Sequence, residues 1–418
     1  MRTRFIHSVL QLRKRLWAKP ALYCLMAVLA SFLAQAADYW SAGSLLPEIT
    51  PDTIQTLLTI ISSSMLAVAT FAVGSMLASY SSASASATPR AFALVLADDV
   101  SQTALSSFIG AFIFSIVSIV ALKTGLYGRG GLFVLFVLTL AIFAWVILTF
   151  VRWVDNIARL GRLGTTIDKA EAAARTTLKA RRLKPFLGGV EKTERTALRG
   201  SKVFCDDIGY VQYVDMKVLQ AIAEEHEVRI MVDAMPGSFL APGRPVVILD
   251  TEEDPDDKLA RRIANAFVIG ENRTFDVDPR FGLIVLSEIA ARALSPAVND
   301  PGTAIVIIGR FVRLFSAWAE PVEESESTKA IYDRVIVPTL ELAEMFDDAF
   351  TAIARDGAGA VEVGIRLQKA FLSLSTLDFP GFAEQARRHS ALALDRARDR
   401  LPLQDDVTRL ERIARLLA

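Results

Sequence analysis

Six polar side chains within residues 271–304 are the best candidates for binding chemistry. They are Arg273, Asp278, Glu288, Arg292, Asn299 and Asp300. If they converge, their guanidinium, carboxylate and amide groups can hold a polar ligand or an ion. The same groups can form a buried network of ion pairs and helix caps that fixes two helices. The spacing of these residues leaves both interpretations open.

Prolines and cap residues predict the elements that position these side chains. Asp278-Pro279 predicts the first turn of a helix with one apolar face. Ser295-Pro296 ends that helix, because the residue before a proline disfavours the helical conformation. Asp300 is a good N-cap, and Pro301 suits the first position of a following helix. We therefore predict a helix, a polar hinge at residues 295–301, and a second, strongly apolar helix.

The sequence contains no recognisable catalytic or cofactor-binding pattern. The two cysteines, Cys24 and Cys205, and the three histidines lack the spacing of metal ligands. Five carboxylates in residues 251–257 could hold a metal ion, but such a run is typical of a solvated helix start. We expect no catalytic residue, no metal and no cofactor, and therefore a protein that is not an enzyme.

The apolar and charged residues are segregated along the chain. Hydrophobic residues make up 52% and charged residues 22% of the 418 residues. The mean hydropathy is +0.37. The first 150 residues are apolar, and nearly all the charge follows them. The formal net charge of +0 gives no support for nucleic-acid binding, which needs a basic face.

Apolar, uncharged runs in the first part of the chain predict transmembrane helices. The four runs span about residues 21–37, 54–80, 104–122 and 131–151. About 20 apolar residues cross a hydrocarbon core about 30 Å thick. Backbone groups in lipid must bond within the segment, so these runs are helices. A basic segment before the first run also fits a signal peptide, but Asp38 and the later spans favour a retained helix.

The distribution of Lys and Arg predicts the orientation in the membrane. Residues 1–20 carry six basic side chains, whereas residues 38–53 carry none. Basic residues return after the fourth run, from Arg152 onward. Because cytoplasmic loops are enriched in Lys and Arg, we expect both termini in the cytoplasm of a bacterial inner membrane. The lipid bilayer is the first expected partner.

The second span carries small and hydroxyl-bearing residues at helical spacing. Thr59, Ser63, Thr70 and Gly74 mark this stripe. Small residues let helices approach closely, so the stripe could be a helix-packing surface. Hydroxyl groups could also line a pathway for a solute. The four spans contain no Asp, Glu, Lys, Arg or His, which argues against a proton relay or an ion-coupled pump.

The predicted fold class is an α-helical membrane domain of four transmembrane helices plus a cytoplasmic α+β domain, in which a small β unit precedes a helical bundle. We divide the chain into a basic cytoplasmic N-terminus (1–20), a transmembrane domain (21–153), a linking helix (154–200), a small β/α unit (201–250) and a helical cytoplasmic region (251–418). Turns at Gly237 and Gly243 indicate a tight β-roll or a small barrel. We also expect helices over residues 258–269 and 328–355, the latter kinked at Pro338.

Several short motifs carry a family resemblance. They are Arg273-Thr274, Phe281-Gly282-Leu283, Ala290-x-Arg292-Ala293-Leu294-Ser295-Pro296-Ala297-x-Asn299-Asp300-Pro301, Asp206-Asp207-Ile208-Gly209-Tyr210 and Pro236-Gly237-x-Phe239-Leu240. Together they resemble the signature of a bacterial family of predicted membrane proteins, domain of unknown function 2254. The resemblance implies several N-terminal spans and a soluble C-terminal part, but no activity. Val277 stands where the family would have Gln, which puts a ligand site that uses this Gln in doubt.

Two functions fit these predictions. The first is an oligomeric channel or permeation protein, built from copies of this chain and regulated by its cytoplasmic domain. A homo-oligomer is needed because four spans are few for a transporter. The alternative is a membrane-anchored ligand sensor or scaffold without transport activity, which would use the polar hinge.

Overall fold

The computed structural model describes residues 18–36, 38, 47, 49–86, 88–96, 99–157, 162–322 and 330–417. The chain divides into two compact units, residues 1–166 and 167–418. Most of the predicted basic N-terminus, residues 1–17, lies outside the described part of the chain.

Long apolar helices form the first unit. They are α1 (Ala18–Ala36), α2 (Pro51–Ser86), α3 (Pro89–Leu96), α4 (Asp99–Lys123) and α5 (Arg129–Ile157). By length and composition, α1, α2, α4 and α5 are each able to cross a membrane, and they overlap the four predicted spans. The 36 residues of α2 extend over about 54 Å, which exceeds a hydrocarbon core of about 30 Å.

Helix α4 is the centre of this unit, because it packs against α1, α2 and α5. Its buried face is rich in small and hydroxyl-bearing residues, a pattern that the sequence analysis missed. The Oγ atoms of Ser118 and Ser31 lie 3.0 Å apart between α4 and α1. A Cβ atom at Gly110 would lie 3.2 Å from the Cβ of Tyr23. The small residues therefore let these helices approach closely.

The carboxylate of Asp38 connects the residues that follow α1 to the start of α5. Its oxygens accept hydrogen bonds from the backbone nitrogens of Gly128 at 2.7 Å and Gly131 at 2.6 Å. The first N–H groups of a helix have no partner inside the helix, and a negative charge there is favourable. Asp38 thus stabilises the beginning of α5.

The second unit combines two β-sheets with a bundle of helices. The strands are β1 (Val190–Glu191), β2 (Lys202–Phe204), β3 (Gly209–Val214), β4 (Ile230–Val232), β5 (Phe239–Leu240), β6 (Pro245–Leu249), β7 (Phe267–Gly270) and β8 (Val335–Val337). The helices are α6 (Leu163–Leu183), α7 (Met216–Glu225), α8 (Asp257–Ala264), α9 (Phe281–Ala293), α10 (Pro301–Ala319), α11 (Leu342–Asp356), α12 (Val361–Ser375), α13 (Phe382–Arg400) and α14 (Gln404–Ala414).

The predicted β-roll or small barrel is wrong, because the strands form two separate sheets. One sheet has the order β1-β8-β4-β6-β2, and the other has the order β5-β3-β7. β8 pairs in parallel with β1 and with β4, while the other pairs are antiparallel. Helix α7 covers the strands, and its Leu219 and Ile222 lie in their common core.

One predicted helix is too long, and another is wrong. The helix expected over residues 258–269 ends at Ala264, and strand β7 begins at Phe267. The kinked helix expected over residues 328–355 is replaced by β8 and the separate helix α11. Val335, Ile336 and Val337 are all buried, and their β-branched side chains suit a strand covered on both faces.

Phenylalanine rings fill the core of the helical bundle. Phe311 and Phe315 of α10, Phe346 and Phe350 of α11, and Phe371 of α12 are fully buried. Neighbouring ring centroids lie 4.7 to 5.8 Å apart, as in Phe315–Phe346 and Phe315–Phe350.

Helix α10 is also apolar and long enough to cross a membrane. Its Arg310 and Arg313 form ion pairs at 2.8 Å with Glu171 of α6.

His389 of α13 lies inside this aromatic core. Its side chain is 1% exposed, and its Nε2 atom lies 3.2 Å from Oδ1 of Asp347. The rings of Phe346, Phe350 and Phe371 surround the imidazole. Burial lowers the pKa of His389 to about 4, and the positive charges of Arg388 and Arg396 act in the same direction, whereas Asp347 opposes them. The imidazole is therefore neutral at physiological pH.

We predict that His389 makes the chain less stable in mild acid. Its pKa is about 4 in the folded state and about 6.5 when unfolded, so the unfolded chain takes up the proton more readily. The stability that depends on the neutral imidazole is complete above about pH 6.5 and falls towards pH 4, by at most about 3 kcal/mol. The variant His389→Gln should lose less stability over this range. Thermal unfolding of the detergent-solubilised chain from pH 7.5 to 4 measures the difference, and parallel curves would contradict the prediction.

Candidate functional site

Arg273 and Asp278, two of the predicted site residues, form a buried ion pair. The Arg273 Nε atom donates to Oδ2 of Asp278 at 2.6 Å, and Nη2 donates to Oδ1 at 3.0 Å. The side chain of Asp278 is only 2% exposed. Two parallel hydrogen bonds of this kind fix the orientation of both groups.

Asp278 also caps helix α9. Its Oδ1 atom accepts hydrogen bonds from the backbone nitrogens of Arg280 at 3.1 Å and Phe281 at 3.2 Å. The helix begins at Phe281, after Arg280 as its N-cap residue, which makes no side-chain capping bond. The predicted Asp278-Pro279 helix start is therefore displaced by two residues, and Asp278 acts from outside the helix.

The backbone conformation and the surroundings of residue 237, in the turn before β5, both require glycine. Its φ angle is +94°, a conformation that L side chains rarely adopt. A Cβ atom at this position would lie 2.5 Å from Oδ2 of Asp278 and 2.8 Å from Nη2 of Arg273. The backbone of the turn therefore lies directly against the ion pair, and only glycine leaves enough space.

A second charged pair joins the start of α9 to α11. The Nε atom of Arg280 donates to Oδ2 of Asp348 at 2.5 Å, and Nη2 donates to Oδ1 at 3.1 Å. Arg280 also contacts the half-exposed carboxylate of Glu344. Burial raises the pKa of Asp348, whereas the hydrogen bonds and charge of Arg280 act in the opposite direction.

Arg181 of α6 is a third arginine near these two pairs, and it differs from Arg273 and Arg280. Only 6% of the residue is exposed. Its Nε and Nη1 atoms are buried and have no hydrogen-bond partner among the residues that the structure describes. Burial lowers the pKa of Arg181 to about 10, and the negative charge of Asp278 opposes this shift. The guanidinium remains charged at neutral pH.

Close packing of α6 against α9 positions Arg181. A Cβ atom at Gly282 of α9 would lie 2.4 Å from the Cβ of Ala174, so the two helices are in direct contact. Arg181 follows Ala174 by two turns, and Asp278 precedes Gly282 by about one turn. The charge of Asp278 also acts on Arg181, which agrees with a position of Arg181 near the N-terminal end of α9. We name Arg181, Arg273, Asp278, Arg280 and Asp348 the charged cluster.

The other predicted site residues lie elsewhere along α9. Glu288 is half-buried within the helix, and Arg292 is exposed near its end. Asn299 and Asp300 follow the helix. The 13 residues of α9 span about 20 Å, which separates these last two residues from Arg273 and Asp278. The six side chains therefore do not meet in one place, and the contacts of Arg273, Asp278 and Asp300 are those of the alternative, a network of ion pairs and helix caps.

Asp300 and Asn299 have local structural roles in the hinge. Asp300 is the N-cap of α10, as predicted, and accepts hydrogen bonds from the Thr303 backbone nitrogen at 3.1 Å and hydroxyl at 2.6 Å. The hydroxyl bond is the larger cause of the lowered pKa of Asp300. Asn299 is exposed and has a left-handed conformation with a φ angle of +50°.

The predicted stripe lies on the exposed face of α2. Thr59, Ser63, Thr70 and Gly74 are all exposed. The three hydroxyl groups donate to carbonyl oxygens of their own helix, at 2.8 Å for Thr59, 3.1 Å for Ser63 and 2.9 Å for Thr70. A Cβ atom at Gly74 would have no neighbour within 4 Å. The stripe is therefore not used for packing among the residues of the first unit that the structure describes.

Sequence reasoning missed Arg181, Arg280 and Asp348. One signal was available for Arg181. The buried residues Ile167, Ala170, Ala174 and Leu178 recur at helical spacing, and Arg181 continues the same face. A charged residue on the apolar face of a helix is unusual and indicates a special role. Arg280 and Asp348 lie 68 residues apart, so their pairing has no local signal.

We predict that Asp278→Asn is strongly destabilising. The variant keeps the shape of the side chain but leaves Arg273 and Arg181 without their buried counter-charge. Breaking a buried pair in this way costs about 3–5 kcal/mol. The matched control Asp378→Asn, at an exposed position, should change stability by less than about 0.5 kcal/mol. Thermal or denaturant unfolding distinguishes the two, and equal stability of both variants would refute this role for Asp278.

We predict that Asn299 is required for its backbone conformation. Asn299→Ala should cost about 1 kcal/mol, because alanine adopts the left-handed region poorly, whereas Asn299→Gly should leave the free energy of unfolding unchanged. Chemical denaturation of both variants measures this. A destabilisation of equal size in both would show that the amide side chain, and not the backbone, is important.

Comparison with known proteins identifies the family of this chain. The sequence profile of "Predicted membrane protein (DUF2254)" matches residues 13–373. The uncharacterized proteins Mb1321c of Mycobacterium bovis and Rv1290c of Mycobacterium tuberculosis are each 32% identical over 104 residues. These residues make up 24% of this chain and 20% of each relative, so the match spans about a fifth of the relatives' length. No solved structure matches the chain. The chain belongs to the DUF2254 family of predicted membrane proteins.

Proposed function

We propose that the protein is a homo-oligomeric permeation protein of the bacterial inner membrane, whose copies meet at the exposed face of α2. One observation carries this proposal. The small and hydroxyl-bearing stripe of Thr59, Ser63, Thr70 and Gly74 faces outward. The opposite face of the same helix, with Ile54, Leu58 and Ile61 among its residues, is buried within the unit.

The shape of this stripe favours contact with another helix. Gly74 presents bare backbone, and a Cβ atom added there would have nothing within 4 Å. In membranes, small residues of this kind allow close helix–helix contact. Copies arranged around a common axis would bring the stripes together, and the hydroxyl groups would then line the space between them.

The topology proposed is four membrane-spanning helices, α1, α2, α4 and α5, with both termini in the cytoplasm. The bias of Lys and Arg supports this orientation. Helix α10 belongs to the second unit in this proposal. Its apolar side chains Ile307, Phe311 and Phe315 are already buried there, and Arg310 is held by Glu171. The second unit would then act as the regulatory domain.

A membrane-anchored ligand sensor without transport activity is the second candidate. The charged cluster favours it, because Arg181 is buried without a hydrogen-bond partner in the described part of the chain. Ion flux separates the two functions. A sensor that self-associates would retain its α2 contacts and conduct nothing.

We predict that a single cysteine at Thr70 cross-links two copies of the chain in a membrane, after Cys24 and Cys205 are replaced by Ser. Phe71→Cys is the matched control, since Phe71 is 66% exposed but points about 100° away around the helix. Oxidation should produce dimers of the Thr70→Cys chain and few of the Phe71→Cys chain. Equal cross-linking at both positions would reject α2 as a specific interface.

We also predict that Gly74→Leu abolishes ion flux into liposomes that contain purified protein. The added side chain meets no neighbour inside the unit, so the variant should fold normally and fail only in oligomer contact. Wild-type flux must exceed that of empty vesicles. Persistent cross-linking without any flux, under all conditions tried, would reject permeation and favour the sensor.

A further inference from the structure

The buried guanidinium of Arg181 lacks a carboxylate partner, which the other two arginines of the charged cluster have. Arg273 is paired with Asp278, and Arg280 is paired with Asp348. The Nε and Nη1 atoms of Arg181 donate to no group in the described residues, although the residue is 6% exposed. Buried donors without acceptors are costly, and native proteins rarely retain them without a reason.

The neighbouring carboxylates are already paired with the other two arginines. Oδ1 of Asp278 accepts from Arg273 and from two backbone nitrogens, and Oδ2 accepts from Arg273. Both oxygens of Asp348 accept from Arg280. Both buried carboxylates are thus paired with other arginines, and Arg181 has no carboxylate partner of its own among the described residues. Glu344, which also contacts Arg280, is half-exposed and has water available to it.

The position near the start of α9 is a second feature of this site. A helix N-terminus carries a partial positive charge and attracts anions. α9 has 13 residues, and its capping acceptor is the carboxylate already paired with Arg273. An anion at Arg181 would satisfy the free donors of its guanidinium.

We propose that Arg181 is the anchor of a binding site for the phosphate group of a small soluble ligand, at the N-terminal end of α9. The planar fork of arginine matches the oxygens of a phosphate group through two parallel hydrogen bonds. The small exposed fraction of Arg181 limits what reaches it to a group of few atoms, such as a single phosphate. The site is independent of permeation, since it uses residues of the second unit alone.

The test measures thermal unfolding of the full chain in detergent against inorganic phosphate, with ionic strength held constant by sodium chloride. The wild-type Tm should rise by a few degrees and then saturate, because a ligand that binds only the folded state stabilises it by mass action. Arg181→Met should abolish the rise. Without phosphate, this variant should be at least as stable as the wild type, because methionine removes the unpaired charge at similar length.

Arg175→Met is the matched control, because Arg175 lies on the same helix with a side chain that is 52% exposed. It should retain the full phosphate response. A wild-type Tm that does not respond to phosphate, or a response that persists in Arg181→Met, overturns the proposal. If Arg181→Met does not fold, Arg181→Lys keeps the charge and loses the fork. It should bind radiolabelled phosphate at least about tenfold more weakly, and unchanged affinity overturns the proposal.

The source of the phosphate group is tested in the same assay. A soluble phosphate ester such as glycerol phosphate should stabilise the wild type as inorganic phosphate does. Short-chain phosphatidic acid presents the same group on a lipid. Stabilisation by the lipid alone would overturn the soluble-ligand proposal. Liposome flux plays no part in these measurements, so their failure leaves the permeation proposal unaffected.

Discussion

A carboxylate removed from water must be matched by donors and by opposite charge, and this constraint organises the second unit around Asp278. Its two oxygens accept from Arg273 on one side and from the first backbone nitrogens of α9 on the other. The turn at Gly237 lies so close to these atoms that a side chain there would collide with them. One buried charge therefore fixes the sheet-side turn, the segment before α9 and the start of the helix relative to each other.

Further charged contacts relate the helices around α9 to each other. Arg280 joins the start of α9 to α11 through Asp348. Glu171 joins α6 to α10 through Arg310 and Arg313. The aromatic core between α10 and α11 adds hydrophobic stabilisation, since each buried phenylalanine contributes about 1.5–3 kcal/mol. Apolar contacts are not directional, whereas paired guanidinium–carboxylate bonds have a defined geometry. The charged contacts thus select one arrangement among those that bury the same rings.

Local signals in the sequence predicted local structure well and long-range structure poorly. The Asp300 cap, Pro301 at the first helical position and the four apolar helices of the first unit depend on a few neighbouring residues, and all were predicted. β7 and β8 were missed because their partners β3, β1 and β4 are distant in sequence, and the short runs that form them carry no period of their own. The six polar residues of segment 271–304 do not meet in one place, for a geometric reason. A helix holds the residues at its two ends apart, however similar their chemistry. The apolar face of α6 marked Arg181 as unusual, but its proximity to Asp278 depends on the contact of α6 with α9, which has no local signal.

The two hydroxyl-rich helices of the first unit differ in a way that polarity alone does not reveal. On α4 the small residues are buried, and Ser118 bonds to Ser31 of a neighbouring helix. On α2 the hydroxyls of Thr59, Ser63 and Thr70 bond to carbonyl oxygens of their own helix, so their exposure to lipid costs little. The hydroxyls of α2 therefore do not require a partner. What distinguishes its exposed face is shape. Gly74 has no side chain, and a Cβ atom added there would have no neighbour within 4 Å among the described residues. Since packing between membrane helices depends on close approach rather than on hydrophobicity, this shape is the stronger argument that a second copy of the chain lies there.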